Sequence, residues 1–341
     1  MRGIEEERVG PWLAEHVEGA VAPFEYRLIA GGRSNLTYAV TGADGAQFVL
    51  RRPPLSHVLA SAHDMGREHR LISSVGKAGT VPVPRALGLC TDESVNGAPF
   101  YVMELVAGAV LDGPDKAALL PLELRRPASE HLIDVLAEIH AVDIDAVGLG
   151  DLSRRGGYLD RQIRRWTTQW EASKTRELPL IERVGQALRD HMPEEREVVI
   201  AHGDYRFGNC LTNVHEGRIA AVLDWELCTL GDPLADVGYM GVYWYDGNAS
   251  NTRANDPTSA PGFLTYHEVL ERYAARTGRD LSGIGYYVAF SCWRLAVISE
   301  GVYNRYLHGA MGEQDGVDVS GMAAGTEQLA NRALAALKEF G

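Results

Sequence analysis

The run HGDYRFGN at 202–209, followed by VLDWE at 222–226, constrains this chain more than any other stretch. A carboxylate, Asp204, stands five residues before an amide, Asn209, and a second carboxylate, Asp224, follows fifteen residues later. Between them, CLTNVHEGRIAAV reads as two short strands around a His-Glu-Gly-Arg turn. A hairpin returns the chain to its starting point. Asn209 and Asp224 are therefore predicted to meet at its open end.

These groups suit phosphoryl transfer, which needs a base or orienting group beside the acceptor hydroxyl and oxygen ligands for the magnesium bridging the nucleotide phosphates. Asp204 is the candidate base. Asn209 and Asp224 are candidate Mg2+ ligands, since magnesium keeps several waters and needs only one or two protein oxygens beside the phosphates. Glu226 is placed on the same side of a strand as Asp224, either to touch a second ion or as a solvated carboxylate. Arg206 can neutralise charge on the transferring group or pair with a neighbouring acid. His202 is expected to prop the loop by hydrogen bonding. Asp232-Pro233 signals a helix start. Asp236, in the first turns of that helix, is expected to hold the loop from behind.

The N-terminal hundred residues have the pattern of an antiparallel meander: YRLIA from Tyr26, LTYAV, the turn TGADG and AQFVLRR, with VPVPRALGLC and APFYVMELV as two further strands. Helices are predicted over 5–20 and about 62–75, the second carrying Glu68 and capped by Gly76. Beyond Gly108 helical patterns dominate, at 127–141, 158–172, 180–191, 265–277, 283–306 and 323–339. The polar stretch 245–262 reads as a loop or lid.

The GGRSN turn, with Gly32, Ser34 and Asn35, offers backbone N–H groups that can cradle phosphate. One strand later, Arg51 ends an apolar run and is expected to reach the α- and β-phosphates, with Glu68 as its orienting partner. FYVMELVAG at 100–108 has the form of a strand entering a hinge. Backbone at Glu104 to Val106 can pair with an adenine edge there, and Met103 can pack behind it. G-x-x-x-x-G-K-[ST], G-x-S-x-G and the G-x-G-x-x-G dinucleotide fingerprint are all absent.

The net charge of −13 argues against a nucleic-acid surface, yet an acidic protein binds ATP readily where magnesium and a few arginines supply the positive field. The four cysteines have no C-x-x-C spacing, which predicts reduced thiols in a cytoplasmic protein. No apolar run reaches membrane-spanning length.

HGDYRFGN, VLDWE and GDPLADVGY resemble the aminoglycoside phosphotransferase and choline kinase superfamily, whose catalytic loop has the Asp–Asn spacing of protein kinases. The resemblance spans about 25–310. GGRSNLTYAV, FVLRRPP, PFYVMELVAG, LAEIHAVD and FSCWRLAVISEGVYNRYLHG resemble the branch that includes the kinase domain fused to certain animal acyl-CoA dehydrogenases. It implies an α+β, two-lobed protein-kinase-like fold: an N-terminal lobe over 1–105 and a mainly helical C-terminal lobe over 106–341. It further implies Asp204 as base, Asn209 and Asp224 as metal ligands, and Arg51 where a phosphate-binding lysine is usual. The implied activity is ATP- and Mg2+-dependent phosphorylation of a hydroxyl on a small molecule, plausibly a hydroxyacyl-CoA, by a monomer or homodimer. An aminoglycoside kinase and a catalytically silent nucleotide-binding protein are the alternatives. A protein kinase is disfavoured, because no A-P-E motif follows Asp224. Trp293, Arg294, Tyr303 and Arg305 are candidates to line the acceptor site, or to pack on the core.

Overall fold

The computed structural model describes residues 1–30, 35–55, 64–245, 256–308 and 319–340. Residues 25–104 build a five-stranded antiparallel sheet from β1 (Glu25–Ala30), β2 (Leu36–Thr41), β3 (Gln47–Arg52), β4 (Ala86–Cys90) and β5 (Phe100–Glu104), in the order β1-β2-β3-β5-β4. Helix α1 (Glu6–His16) covers one face and α2 (Met65–Ala78) packs on the other. A third, four-residue helix α3 (Glu93–Asn96) joins β4 to β5.

Alternation along β3 decides what each of its residues meets. Phe48 and Leu50 join Val9 and Leu13 of α1, whereas Val49 joins Leu71, Ile72 and Val75 of α2. Arg51 shares Val49's face and so points to α2 and Glu68. Arg52 takes the other face, where its guanidinium donates to the Gly3 and Asn96 carbonyls.

Several predicted boundaries move. The strand expected from Val81 begins only at Ala86, because Pro82 and Pro84 have no N–H for a ladder. Gly76 lies inside α2, and the cap is Gly79, left-handed at φ 75° with its N–H on the Gly76 carbonyl. The helix expected at 127 starts at Leu122: α4 (Leu122–Ala141) carries Pro127 within it, and Arg125 donates back to the Leu120 and Ala117 carbonyls.

After β5 the chain crosses to the other half at Gly108. A Cβ there would stand 3.0 Å from Leu211 Cβ and 3.2 Å from the Thr212 carbonyl oxygen, so a side chain would fit only if its neighbours gave by a few tenths of an ångström. The next residue, Ala109, exchanges both backbone hydrogen bonds with Thr212 at 2.9 and 2.8 Å. Thr212 lies in the predicted hairpin, β7 (Cys210–Asn213) and β8 (Arg218–Val222). A second small pair joins β6 (Val199–Ala201) to β9 (Thr229–Gly231).

The rest is helical: α5 (Tyr158–Ser173), α6 (Pro179–Asp190), α7 (Pro233–Tyr243), α8 (Tyr266–Thr277), α9 (Ile284–Leu307) and α10 (Val319–Phe340). Helix α9 is the axis of this half, packed on α5, α6, α7 and α10 around Trp170, Tyr286, Phe290 and Trp293. All four cysteines are buried free thiols. No described helix is long and apolar enough to cross a membrane.

Candidate functional site

The site forms where the β6–α7 segment, the open end of the hairpin and the α2 face of the sheet converge. The loop 202–206 is held from behind by Asp236 of α7. Its Oδ2 accepts the His202 N–H and its Oδ1 the Gly203 N–H, both at 2.7 Å, and His140 Nε2 of α4 donates to Oδ2 at 3.1 Å. Burial opposes ionisation of Asp236, but the hydrogen bond from His140 and the charge around it hold its carboxyl below the usual range. The His202 ring props the loop from inside. Nε2 donates to the Leu223 carbonyl at 2.9 Å, and Nδ1 accepts the Asp204 N–H at 3.3 Å.

This places Asp204 beside Asn209, whose Nδ2 donates to the Asp204 carbonyl and to Oδ2, both at 2.7 Å. Asp204 Oδ1 accepts no hydrogen bond of ordinary length among the described residues; Arg206 Nε stands 3.6 Å from it. The Arg206 guanidinium folds back against Gly208, where a Cβ would fall 1.9 Å from one of its nitrogens, and lies 4.9 Å from the centre of the Tyr243 ring.

The hairpin closes as expected. Leu223 N–H donates to the Asn209 carbonyl at 2.8 Å, bringing Asp224 to the same end. Asp224 itself is left-handed at φ 62°, the one described non-glycine residue with positive φ. Such a conformation costs on the order of 1 kcal/mol and persists only where its flanks are held. Arg51 reaches it across the sheet, with NH2 on Asp224 Oδ1 at 2.8 Å and on Glu68 Oε1 at 3.1 Å, and Nε on Glu68 Oε2 at 3.2 Å. Burial works against the guanidinium's charge, but Glu68, Tyr101 and Asp224 raise its pKa. The pairing with Glu68 was legible in the sequence; the bridge to Asp224 was not.

The family described as "phosphotransferase enzyme family" matches residues 25–278, which contain all of these groups. The chain belongs to this family. Acyl-CoA dehydrogenase family member 10 of Mus musculus is 37% identical over 91% of this chain and 29% of its own length. The chain spans only 29–40% of the curated relatives it matches. A crystal structure from Ralstonia eutropha, provisionally assigned as an aminoglycoside phosphotransferase, superposes with a TM-score of 0.82 at 33% identity, covering 97% of this chain and 98% of that one. A ternary complex of a thermostable aminoglycoside phosphotransferase APH(4)-Ia with AMP-PNP and hygromycin B gives a TM-score of 0.61 at 17% identity over 97% and 98% of the chains, a likeness of fold. The fold of this phosphotransferase family member is α+β and kinase-like.

The remaining expected site residues fall as follows. Gly32 and Ser34 lie outside the described residues, as does most of the predicted lid, 246–255. Asn35 is buried, and its Nδ2 donates to Glu68 Oε2 at 3.5 Å. Met103 is buried among the α2 contacts, and Val106 is half-buried just past the end of β5. The Glu104 N–H is already bonded to the Arg85 carbonyl at 2.9 Å, so it is not a donor for an adenine edge. Glu226 is not on a strand with Asp224, because β8 ends at Val222 and residues 225–227 form a 3₁₀ turn.

A cleft of about 590 Å³ opens beside this site, lined by Gly203, Glu226, Trp166, Ile298, Arg165 and Arg305 among others. Arg294 lines it too but is 5% exposed; its NH2 donates to the Gly203 carbonyl at 2.7 Å and its guanidinium lies 4.5 Å from the Tyr239 ring centre. Through that bond it braces the loop from the wall of the cleft. Trp293 packs in the core with Nε1 on the Ile181 carbonyl, and Tyr303 lies against Arg176; neither lines the cleft.

The donors gathered here are oxygens, from the Asn209 amide and the Asp224 and Glu226 carboxylates, which suits a hard cation such as Mg2+. Among the described residues no three His, Cys, Asp or Glu side chains gather to hold an ion alone. A magnesium site completed by nucleotide phosphates does not need them. Burial, and Asp224 after it, push the Glu226 carboxyl up to about 7, as where a cation is wanted. From the usual value of 4.5 up to about 7, the folded state keeps a proton that the unfolded chain has lost. Its contribution to stability therefore falls as pH rises through that window and stays low above it. Glu226→Gln is expected to melt higher than the parent at pH 8 without nucleotide, the gap closing towards pH 4.5. An equal gap at both pH values would refute this.

Proposed function

We propose that the chain is an ATP- and magnesium-dependent phosphotransferase that moves the γ-phosphoryl group to a hydroxyl of a small anionic molecule. The observation that carries this reading is the convergence of Asp204, Asn209, Asp224 and the Arg51–Glu68 pair beside one large cleft. In this reading residues 1–105 form the nucleotide lobe and 106–341 the acceptor lobe. The hinge near Val106 receives the adenine.

Asp204 Oδ1 orients the acceptor hydroxyl and takes its proton as the new O–P bond forms and ADP departs. Asn209 fixes Asp204 through Oδ2. Arg51 steers the phosphates. Asn209, Asp224 and Glu226 would hold magnesium, which supplies charge neutralisation on the phosphates. Arg206, paired with Asp204 and stacked on Tyr243, is placed to balance charge near the transferring group.

Arg165 and Arg305, on α5 and α9, line the cleft and favour an anionic acceptor over a polycationic aminoglycoside. Trp166 and Ile298 give it an apolar stretch, which suits an acyl chain and makes a hydroxyacyl-CoA the leading candidate. The test is ADP release from Mg-ATP against hydroxyacyl-CoAs, choline-like alcohols and aminoglycosides. Turnover with the hydroxyacyl-CoAs is expected. Turnover with aminoglycosides alone would overturn the acceptor class. Nucleotide binding with silence across the panel would favour a non-catalytic binding protein.

A further inference from the structure

Arg67 sits one residue before Glu68 on α2, and its side chain does not stay with that helix. Its NH1 reaches the Glu226 carbonyl at 3.5 Å and its NH2 the Cys228 carbonyl at 2.5 Å. Its own N–H is fixed by the Asp64 cap at 2.9 Å, so the root of the side chain is anchored. The two carbonyls flank the C-terminal side of Asp224, the residue held in the left-handed conformation. On the N-terminal side, the Leu223 carbonyl is held by His202 and the Leu223 N–H by Asn209.

The contacts form a closed circuit. Asp224 binds Arg51, Arg51 binds Glu68, Glu68 adjoins Arg67, and Arg67 grips the backbone just after Asp224. We infer that Arg67 is a positioning residue for the metal segment: it ties α2 to residues 226–228 and fixes the Asp224 carboxylate in its metal-binding position. This rests on the phosphotransferase reading above.

The physical reason is strain. A left-handed aspartate relaxes unless both flanks are restrained, and Arg67 supplies a restraint on the C-terminal flank. A charged donor on two carbonyls fixes both distance and angle, which a lysine ammonium, as a single point, does less well. Because the circuit passes through Glu68, α2 cannot swing away without disturbing both Arg51 and Asp224.

Arg67 also lines the cleft, so a direct contact with the acceptor is the rival role. Mn2+ binding followed by electron paramagnetic resonance, in the presence of AMP-PNP and without acceptor, separates the two. Arg67→Ala is expected to weaken Mn2+ about tenfold, given the usual worth of charged hydrogen bonds, with Arg67→Lys between it and the parent. The acceptor KM should stay within about twofold, while kcat falls. Arg70→Ala is the control, since Arg70 ties the same helix to the Gly148 carbonyl and to Asp151, away from Asp224. It should leave Mn2+ binding unchanged. Unaltered Mn2+ affinity in Arg67→Ala, or an acceptor KM that rises alone, would overturn the inference. If Arg67→Ala does not fold, the same comparison with Arg67→Lys decides it. An unmodified protein that transfers no phosphoryl group yet shows the Mn2+ pattern would count against the phosphotransferase reading and for the role of Arg67.

Discussion

Replacing Asp204 with alanine is expected to lower phosphoryl transfer by about 10²–10⁴-fold, the usual contribution of a positioned general base. Binding of Mg-ATP should change little, because the nucleotide-side groups are Arg51 and Glu68 on the sheet and α2, and the proposed metal ligands Asn209 and Asp224 remain. The backbone of the loop is held independently of the Asp204 carboxylate, through the Asp236 contacts to His202 and Gly203 and the Arg294 contact to the Gly203 carbonyl. Loss of the carboxylate therefore removes a reacting group without dismantling its support. Asp204→Asn tests the chemistry more sharply. It keeps the volume and an oxygen that can accept from Asn209, but it cannot take a proton. Initial rates of ADP release at saturating acceptor, with calorimetry of Mg-ATP binding on the same samples, measure both halves. A variant retaining more than about a tenth of parental turnover would remove Asp204 from the base role.

What the sequence made legible followed short-range rules. The hairpin at 210–222 announced itself by two apolar runs around a turn, and with it came the meeting of Asn209 and Asp224. Arg51 at the end of the apolar run QFVLRR was expected to pair with Glu68, and the pair is there. Asp232-Pro233 marked the start of α7, and Asp232 accepts the Leu234 N–H at 2.9 Å as a cap should. The circuit through Arg67 was not legible, because a side chain donating to carbonyls 159 and 161 residues away leaves no trace in spacing. Nor was the left-handed Asp224, since nothing local demands it. His140 was not singled out, because its partner Asp236 lies 96 residues on. The stack of Arg294 on Tyr239 and Arg206 on Tyr243 was hidden similarly: the tyrosines are four residues apart on α7, a spacing that looks like ordinary helix packing.

The largest effect on stability is expected at Asp236. The carboxylate is fully buried and accepts three hydrogen bonds, two from backbone N–H groups of the 202–206 loop and one from His140. Gly203 is left-handed at φ 84°, with its would-be Cβ 2.8 Å from the Leu227 carbonyl oxygen, so this turn of the loop admits no side chain there. Asp236→Asn turns one acceptor into a donor facing N–H groups. Breaking a buried, hydrogen-bonded charge on one side costs about 3–5 kcal/mol, more than the roughly 2 kcal/mol expected at Asp232, which loses an N-cap and the bond from the Tyr287 hydroxyl. Urea denaturation of the two variants beside the parent measures that difference. The pH dependence gives an independent check. A carboxyl held below its usual range in the folded state stabilises at neutral pH, and that stability drains away as acid protonates it through its folded pKa. The parent should therefore lose stability on acidification more steeply than Asp236→Asn, the two curves converging at low pH. Asp236→Asn within about 1 kcal/mol of the parent at pH 7, with parallel acid curves, would mean that the loop is held by Arg294 and the His202 ring and not by this carboxylate.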